Sequence, residues 1–130
     1  MDKYGLIGYP LGHSFSISYF NQKFIDEGID AQYENFEIQT IEALLEVLSS
    51  NPNLKGLNVT IPYKQKVISY LDTLSPEARA IGAVNVIRVE HEGSRTILKG
   101  YNSDVIGFTQ SIEPMLEKWH KKALILGTGG

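Results

Sequence analysis

The stretch that decides the fold is Asn58-Val59-Thr60-Ile61-Pro62-Tyr63-Lys64. The residues before it, 54–57, are apolar enough to start a buried strand. Pro62 ends that strand, because proline has no N–H to donate to a neighbouring strand. Proline is also favoured at the first position of a helix, so a short helix is predicted to begin at Pro62 and to include residues 67–71.

The same stretch places three polar side chains, Asn58, Thr60 and Lys64, at the carboxyl end of a strand. Ligands bind at that edge in open α/β sheets. Asn58 and Thr60 are two residues apart, so in a regular strand they point to the same face. Polar residues at strand ends also commonly satisfy only loop backbone, and a lysine there is often a solvated charge. The stretch therefore indicates a site but does not define one alone.

Composition limits the possible classes of protein. A chain of 130 residues, 42% hydrophobic and 21% charged, is typical of one soluble globular domain. A net charge of −3 argues against a nucleic-acid or anionic-membrane surface. The chain has no apolar run long enough to span a membrane, and its first residues lack the pattern of a signal peptide. Zero cysteines exclude disulfides and favour the cytoplasm, and the three scattered histidines predict no metal site.

The first half of the chain alternates strand and helix patterns. Strands are predicted at residues 4–8, 31–38 and 54–60, with helical apolar spacing between them. This order indicates a mostly parallel sheet covered by helices. Ser14 and Ser16 precede the first helix, and serine is a common helix cap. Both cannot cap one helix equally well, so one hydroxyl is expected to face the crevice at the strand ends.

The second half adds a hairpin. Residues 83–89 and 96–101 have strand patterns, and the connector 91–94 is too short to hold a crossover helix. The prediction is an α/β fold: a three-layer αβα open sheet, mostly parallel with one antiparallel strand. Asn85 lies in the apolar run, so its amide needs partners, which are either backbone groups or a ligand.

A long helix is predicted after the hairpin. Asn102 or Ser103 caps it, which places Asp104 in the first turn, where the helix dipole favours a carboxylate. Asp104 serves either the helix alone or a site, and the local pattern does not separate these two roles. Pro114 is expected to bend or shorten the last turn.

The final residues predict a nucleotide-binding element. Residues 123–126 have the pattern of a strand, and Gly127-Thr128-Gly129-Gly130 follows. Gly-x-Gly after a strand opens the dinucleotide-binding turn of Rossmann domains, where glycines let backbone approach a pyrophosphate. Residues 1–120 are therefore expected to form a first domain, and residues 121–130 the first strand and glycine-rich turn of a second domain.

Four motifs agree with one family: Ser14-Phe15-Ser16, Asn58 to Lys64, Gly82-Ala83-Val84-Asn85, and the run from Gly100 to Phe108. In this order they resemble shikimate dehydrogenase, specifically its amino-terminal substrate-binding domain, over essentially all 130 residues. The sequence departs from the family pattern at a few positions. Ile17 and Phe20 stand where proline and histidine are usual, Gln65 where glutamate is common, and Ser103 where threonine is usual.

The resemblance implies an NADP-dependent enzyme of aromatic amino acid (chorismate) biosynthesis, which reversibly reduces 3-dehydroshikimate to shikimate. It implies that Lys64 is the catalytic acid/base and that Asp104 is its charged partner. The substrate-binding residues would be Ser14 and Ser16, for the carboxylate, with Asn58, Thr60, Lys64, Asn85 and Asp104 for the ring hydroxyls. The NADP-binding residues would be Gly127, Gly129 and Gly130.

The motifs are also compatible with other classes of protein. A relative specific for quinate or aminoshikimate would share these motifs, as would a non-catalytic module that binds a shikimate-like ligand. A flavodoxin-like binding domain is less favoured, because no phosphate loop follows the first strand. The expected partner is a small-molecule substrate, without nucleic acid or membrane, and a homo-oligomer is possible. Residues 1–130 alone are expected to be inactive.

Overall fold

A computed structural model describes residues 1–12 and 14–128. Six strands form one sheet in the order β2-β1-β3-β5-β6-β4. The strands are β1 (Asp2–Gly8), β2 (Ala31–Glu37), β3 (Leu54–Val59), β4 (Thr73–Leu74), β5 (Val86–Glu92) and β6 (Arg95–Tyr101). The helices are α1 (Phe15–Asp26), α2 (Leu44–Ser50), α3 (Pro76–Ile81) and α4 (Ser103–Ile112), with 3₁₀ turns at Ile41–Ala43, Lys66–Tyr70 and Glu113–Met115.

The strand directions confirm the predicted fold class. β1 pairs in parallel with β2 and β3, and β6 pairs in parallel with β4. β5 lies between β3 and β6 and is antiparallel to both. β5 and β6 form the predicted hairpin, in which Glu92 pairs with Arg95. The two-residue strand β4 is an addition that the sequence pattern did not predict.

The main core lies on one face of the sheet, beneath α2 and α3. Alternate strand residues point to this face, and there Ile7, Leu57 and Ile87 are at most 2% exposed. They pack in one cluster with Leu44 of α2 and Ala78 of α3. The hydrophobic effect therefore fixes the three central strands against the helices that cover them.

The opposite face is covered over β1 and β2 by α1. The ring of Phe24 lies 5.7 Å from that of Tyr4, and the ring of Phe20 stacks at 4.8 Å on that of Tyr33. The Asn21 side chain donates to the carbonyl of Tyr33 and accepts from its N–H, at 2.9 and 2.8 Å. Asn21 thereby satisfies backbone groups on the outer edge of β2, an edge that would otherwise be open to pairing.

The predicted helix at Pro62 and the predicted strand at residues 123–126 do not form, whereas the predicted effect of Pro114 on the last helix is confirmed. No helix begins at Pro62: the chain turns there, and the 3₁₀ turn begins at Lys66, so Lys64 lies in the connecting turn. Residues 123–126 form no strand, since no neighbouring strand among the described residues offers a ladder. The helix that follows the hairpin ends at Ile112, and a 3₁₀ turn that contains Pro114 follows, as expected.

Candidate active site

One edge of the sheet collects the residues that the sequence singled out. β1, β3 and β6 end at this edge, and the antiparallel β5 begins there. Ser14 follows β1, Thr60 follows β3, Asn85 precedes β5, and Asp104 follows β6. The predicted crevice at the carboxyl ends of the parallel strands is therefore the place where these segments meet.

Lys64 and Asp104, which are 40 residues apart, form a direct ion pair at this edge. Lys64 Nζ donates to Asp104 Oδ2 at 2.7 Å, and the two side chains are 33% and 56% exposed. An ion pair so open to solvent adds at most about 1 kcal/mol to stability. Its accessible position instead suits chemistry, because a lysine can give a proton to a bound group or take one from it while the carboxylate holds it in place.

The position of Lys64 follows from hydrophobic packing. Its neighbour Tyr63 is 2% exposed and donates its hydroxyl to the Ile38 carbonyl, which draws the turn into the core. Val67, three residues after Lys64, is fully buried. The Val84 N–H donates to the Lys64 carbonyl at 2.7 Å. With Tyr63 and Val67 directed inward, Lys64 is left at the rim.

The position of Asp104 follows from side-chain amides. Asn102 is 5% exposed; its Oδ1 accepts from Val105 N–H and its Nδ2 donates to the Ala83 carbonyl, each at 3.0 Å. Asn102 is therefore the cap of α4. Asn85 fixes Ser103, the residue before Asp104. The Asn85 Oδ1 accepts from Ser103 N–H, and its Nδ2 donates to Ser103 Oγ, both at 2.8 Å. The hydroxyl that Ser103 shares with threonine is thus the acceptor that Asn85 uses.

Asn58 and Thr60 share the face of the sheet that carries α1. The Asn58 Oδ1 accepts from the Tyr33 hydroxyl at 2.8 Å. Thr60 N–H donates to the Ile7 carbonyl at 3.0 Å, so pairing with β1 continues past the end of β3. A Cβ on Gly8 would lie 2.5 Å from Thr60 Cγ2, so glycine is needed there for Thr60 to fit. The sequence reasoning missed Tyr33, although the alternation in β2 places it on this face.

Ser14 and Ser16 lie at the start of α1. Ser14 occupies the N-cap position, and its side chain makes no capping hydrogen bond, so the helix does not use this hydroxyl. Burial raises the pKa of the Tyr33 hydroxyl to about 12, and the nearby Ser16 hydroxyl opposes that rise. Phe20, one of the departures from the family pattern, stacks on the same tyrosine ring.

The predicted cofactor residues lie mostly outside what the structure describes. Gly127 is exposed with φ of +93°, a conformation that suits glycine and fits a glycine-rich turn. Gly129 and Gly130 lie outside the described residues. Within residues 1–12 and 14–128, no group of His, Asp and Glu side chains could hold a metal ion. In the same part of the chain, no helix is long and apolar enough to cross a membrane.

Fold and site together define a domain of the α/β class, with a lysine–aspartate pair at the carboxyl edge of its sheet. Residues 6–87 match the family model described as the shikimate dehydrogenase substrate binding domain. The chain belongs to this family. The resemblance seen in the four motifs is thereby confirmed.

The relatives agree. The chain is 45% identical over 130 residues to the shikimate dehydrogenase (NADP(+)) of Halothermothrix orenii, covering 97% of this chain and 43% of that protein. Shikimate dehydrogenase 1 from Peptoclostridium difficile superposes with a TM-score of 0.82 at 37% identity, covering 99% of this chain and 47% of the other.

A third similar protein is the shikimate 5-dehydrogenase of Thermus thermophilus, whose structure is a complex with NADP(H) and shikimate. It superposes with a TM-score of 0.74 at 32% identity, over 88% of this chain and 42% of the other. The chain thus spans less than half the length of each of these three proteins.

Proposed function

We propose that this chain is the substrate-binding part of an NADP-dependent shikimate dehydrogenase. The full-length protein would interconvert 3-dehydroshikimate and shikimate. The observation that carries the proposal is the ion pair of Lys64 and Asp104, 2.7 Å apart and open to solvent at the carboxyl edge of the sheet. Asn58, Thr60 and Asn85 lie along the same edge and could bind hydroxyl groups.

The chemistry assigned to this chain is proton transfer. During oxidation of the alcohol, the amine form of Lys64 takes the hydroxyl proton, and in the reverse direction the ammonium form returns it to the carbonyl oxygen. Asp104 keeps Lys64 at the rim and offsets the positive charge that forms. Gly127, Gly129 and Gly130 would help to hold the nicotinamide cofactor, which would supply the hydride chemistry when bound.

The remaining site residues would bind and orient the substrate. The Ser14 hydroxyl, which does not cap the helix, lies with Ser16 at the amino end of the 12-residue helix α1, where the helix dipole favours an anion such as the substrate carboxylate. Amide and hydroxyl side chains suit the ring hydroxyls, because they both donate and accept hydrogen bonds. Asn58, Thr60 and Asn85 have this role in the proposal, and the carboxylate of Asp104 would accept a hydrogen bond from a ring hydroxyl.

The proposed organisation has a first domain at residues 1–120 and the start of an NADP-binding domain at residues 121–130. Relatives about twice as long support it, as does the positive φ of Gly127, which together with Gly129 and Gly130 would bind NADP. The absence of cysteine in the sequence supports a cytoplasmic location. Leu124, Ile125 and Leu126 are 77% to 88% exposed, which supports an apolar contact with the rest of the protein or between copies.

The test is a steady-state assay of the full-length protein with shikimate or quinate as substrate. We expect NADP-linked oxidation of shikimate, with a higher kcat/KM than for quinate. Residues 1–130 alone should give no turnover, because hydride transfer requires a nicotinamide held against the substrate. Higher kcat/KM on quinate would favour the quinate-specific alternative. Binding of shikimate without turnover by the full-length protein would favour a non-catalytic binding module and contradict the proposal.

A further inference from the structure

Tyr33 is a buried polar side chain that the proposed mechanism does not use. It belongs to β2, the edge strand, where it pairs with Tyr4 of β1. Its side chain is 3% exposed, yet its hydroxyl passes over β1 to reach Asn58 in β3, two strands away. A buried tyrosine hydroxyl normally has a partner. Here the hydroxyl donates to Asn58 and lies close to the Ser16 hydroxyl, and both are proposed substrate-binding residues.

The Tyr33 side chain is fixed by one stacking contact on its ring and by hydrogen bonds to its backbone. Phe20 of α1 stacks on it at 4.8 Å with an interplanar angle of 18°. The backbone of Tyr33 is fixed by the two hydrogen bonds to the Asn21 side chain and by pairing with β1. The hydroxyl therefore meets Asn58 from one fixed direction.

The hydrogen bond selects one orientation of the Asn58 amide. Tyr33 has a single hydroxyl proton, which it donates to Asn58 Oδ1 at 2.8 Å. The torsion that turns an asparagine amide is broad when nothing restrains it. With Oδ1 engaged, Nδ2 must lie on the other side of the amide. Among residues 1–12 and 14–128, Nδ2 of Asn58 has no hydrogen-bond partner and is not fully buried, so it can donate to a ligand.

We propose that Tyr33 is a positioning residue, which turns the Asn58 amide so that its donor end faces the hydroxyl groups of the bound ligand. This rests on the proposed function for the nature of the ligand. Fixing the amide before binding removes part of the entropy cost of ordering it afterwards. Burial also raises the pKa of Tyr33 to about 12, so the hydroxyl keeps its proton throughout the neutral range.

The test compares Tyr33→Phe with Tyr4→Phe in the full-length protein. Tyr4 lies beside Tyr33 on the same face and also packs on α1, but within the described part of the chain its hydroxyl makes no hydrogen bond. Selective ¹⁵N-asparagine labelling, with Asn58→Ala to assign the resonance, reports the Asn58 side-chain amide without ligand. We expect Tyr33→Phe to shift this resonance and increase its motion, whereas Tyr4→Phe leaves it unchanged.

Kinetics give the second readout. Tyr33→Phe should raise KM for shikimate about threefold to tenfold, the range expected for one hydrogen bond, with little change in kcat. In the Asn58→Ala background, Tyr33→Phe should have no further effect on KM, because the two residues act as one unit.

An unchanged Asn58 resonance, or the same KM increase with and without Asn58, would overturn the proposal and leave Tyr33 as a packing residue. If the protein does not turn over shikimate at all, the proposed function fails. The amide measurement then decides the role of Tyr33 by itself.

Discussion

The two halves of the Lys64–Asp104 pair are supported in different ways. Lys64 lies between Tyr63 and Val67, both buried in the main core. Asp104 lies in the first turn of α4, a helix without a buried residue. Hydrophobic packing places one charge, and the amides of Asn85 and Asn102 place the other. The geometry of the pair therefore depends on a few hydrogen bonds on the side of Asp104.

The chain before Asn102 and the chain after it also differ in how much of them is buried. In the described part of the chain, the buried hydrophobic core lies entirely before Asn102. After it, α4 exposes Phe108 to 63%, and residues 113–128 are all exposed. A helix of ten residues is marginal by itself in water. We therefore expect α4 of this chain to open locally without unfolding the sheet.

The largest expected difference in stability comes from replacing one aromatic residue before Asn102 and one after it by alanine. Tyr63→Ala removes a side chain that is 2% exposed, together with its hydrogen bond to Ile38. It should lower the free energy of unfolding by about 3–5 kcal/mol. Trp119→Ala removes a larger side chain that is 73% exposed, and it should change that free energy by less than about 0.5 kcal/mol. Urea unfolding of residues 1–130 measures both, and similar losses would show that the tail is packed.

Removing the cap of α4 tests whether side-chain hydrogen bonds hold Asp104 and its helix in place. Asn102→Ala loses the bonds to Val105 and Ala83 and should cost about 1–3 kcal/mol locally. Hydrogen exchange of the α4 amides should accelerate by about tenfold or more. Ser75→Ala is the matched control, since it removes the equivalent cap of α3. Equal acceleration in both variants would mean that α4 is not held by Asn102.

The motifs made much of this site predictable. Lys64 and Asp104 are charged residues at a strand end and a helix start, positions that follow from local patterns and the order of strands and helices. The strand at residues 123–126 was predicted wrongly because an apolar run does not reveal whether a neighbouring strand is present. The helix at Pro62 was also wrong. Tyr63 turns inward to reach Ile38, a contact over 25 residues that local preference cannot show.

The ionisation of Tyr33 should have a smaller effect on stability, and this effect is confined to high pH. Its pKa is about 12 in the folded chain, against about 10 for an ordinary tyrosine. The folded state therefore holds a proton that the unfolded state loses, so stability falls as pH rises from about 10 to about 12. Urea unfolding across this range should show the difference in stability between the wild type and Tyr33→Phe shrinking as pH rises. A constant difference would show that Tyr33 titrates normally.

The hydrogen bond from Tyr33 across β1 to Asn58 could not be predicted from the sequence. Alternation in β2 gives its face but not its partner, because the strand order β2-β1-β3 is a property of the folded sheet. Asn85 is similar: the apolar run shows that its amide needs partners, and only the fold shows that Ser103 supplies them.

The most direct test of the central claim is the kcat of the full-length Lys64→Ala variant with shikimate and NADP. If Lys64 transfers the proton, kcat should fall about 10²–10⁴-fold. Lys66→Ala, two residues later and exposed, is the matched control and should keep normal kcat. A Lys64→Ala enzyme with near-normal kcat and a raised KM would make Lys64 a binding residue and contradict the account.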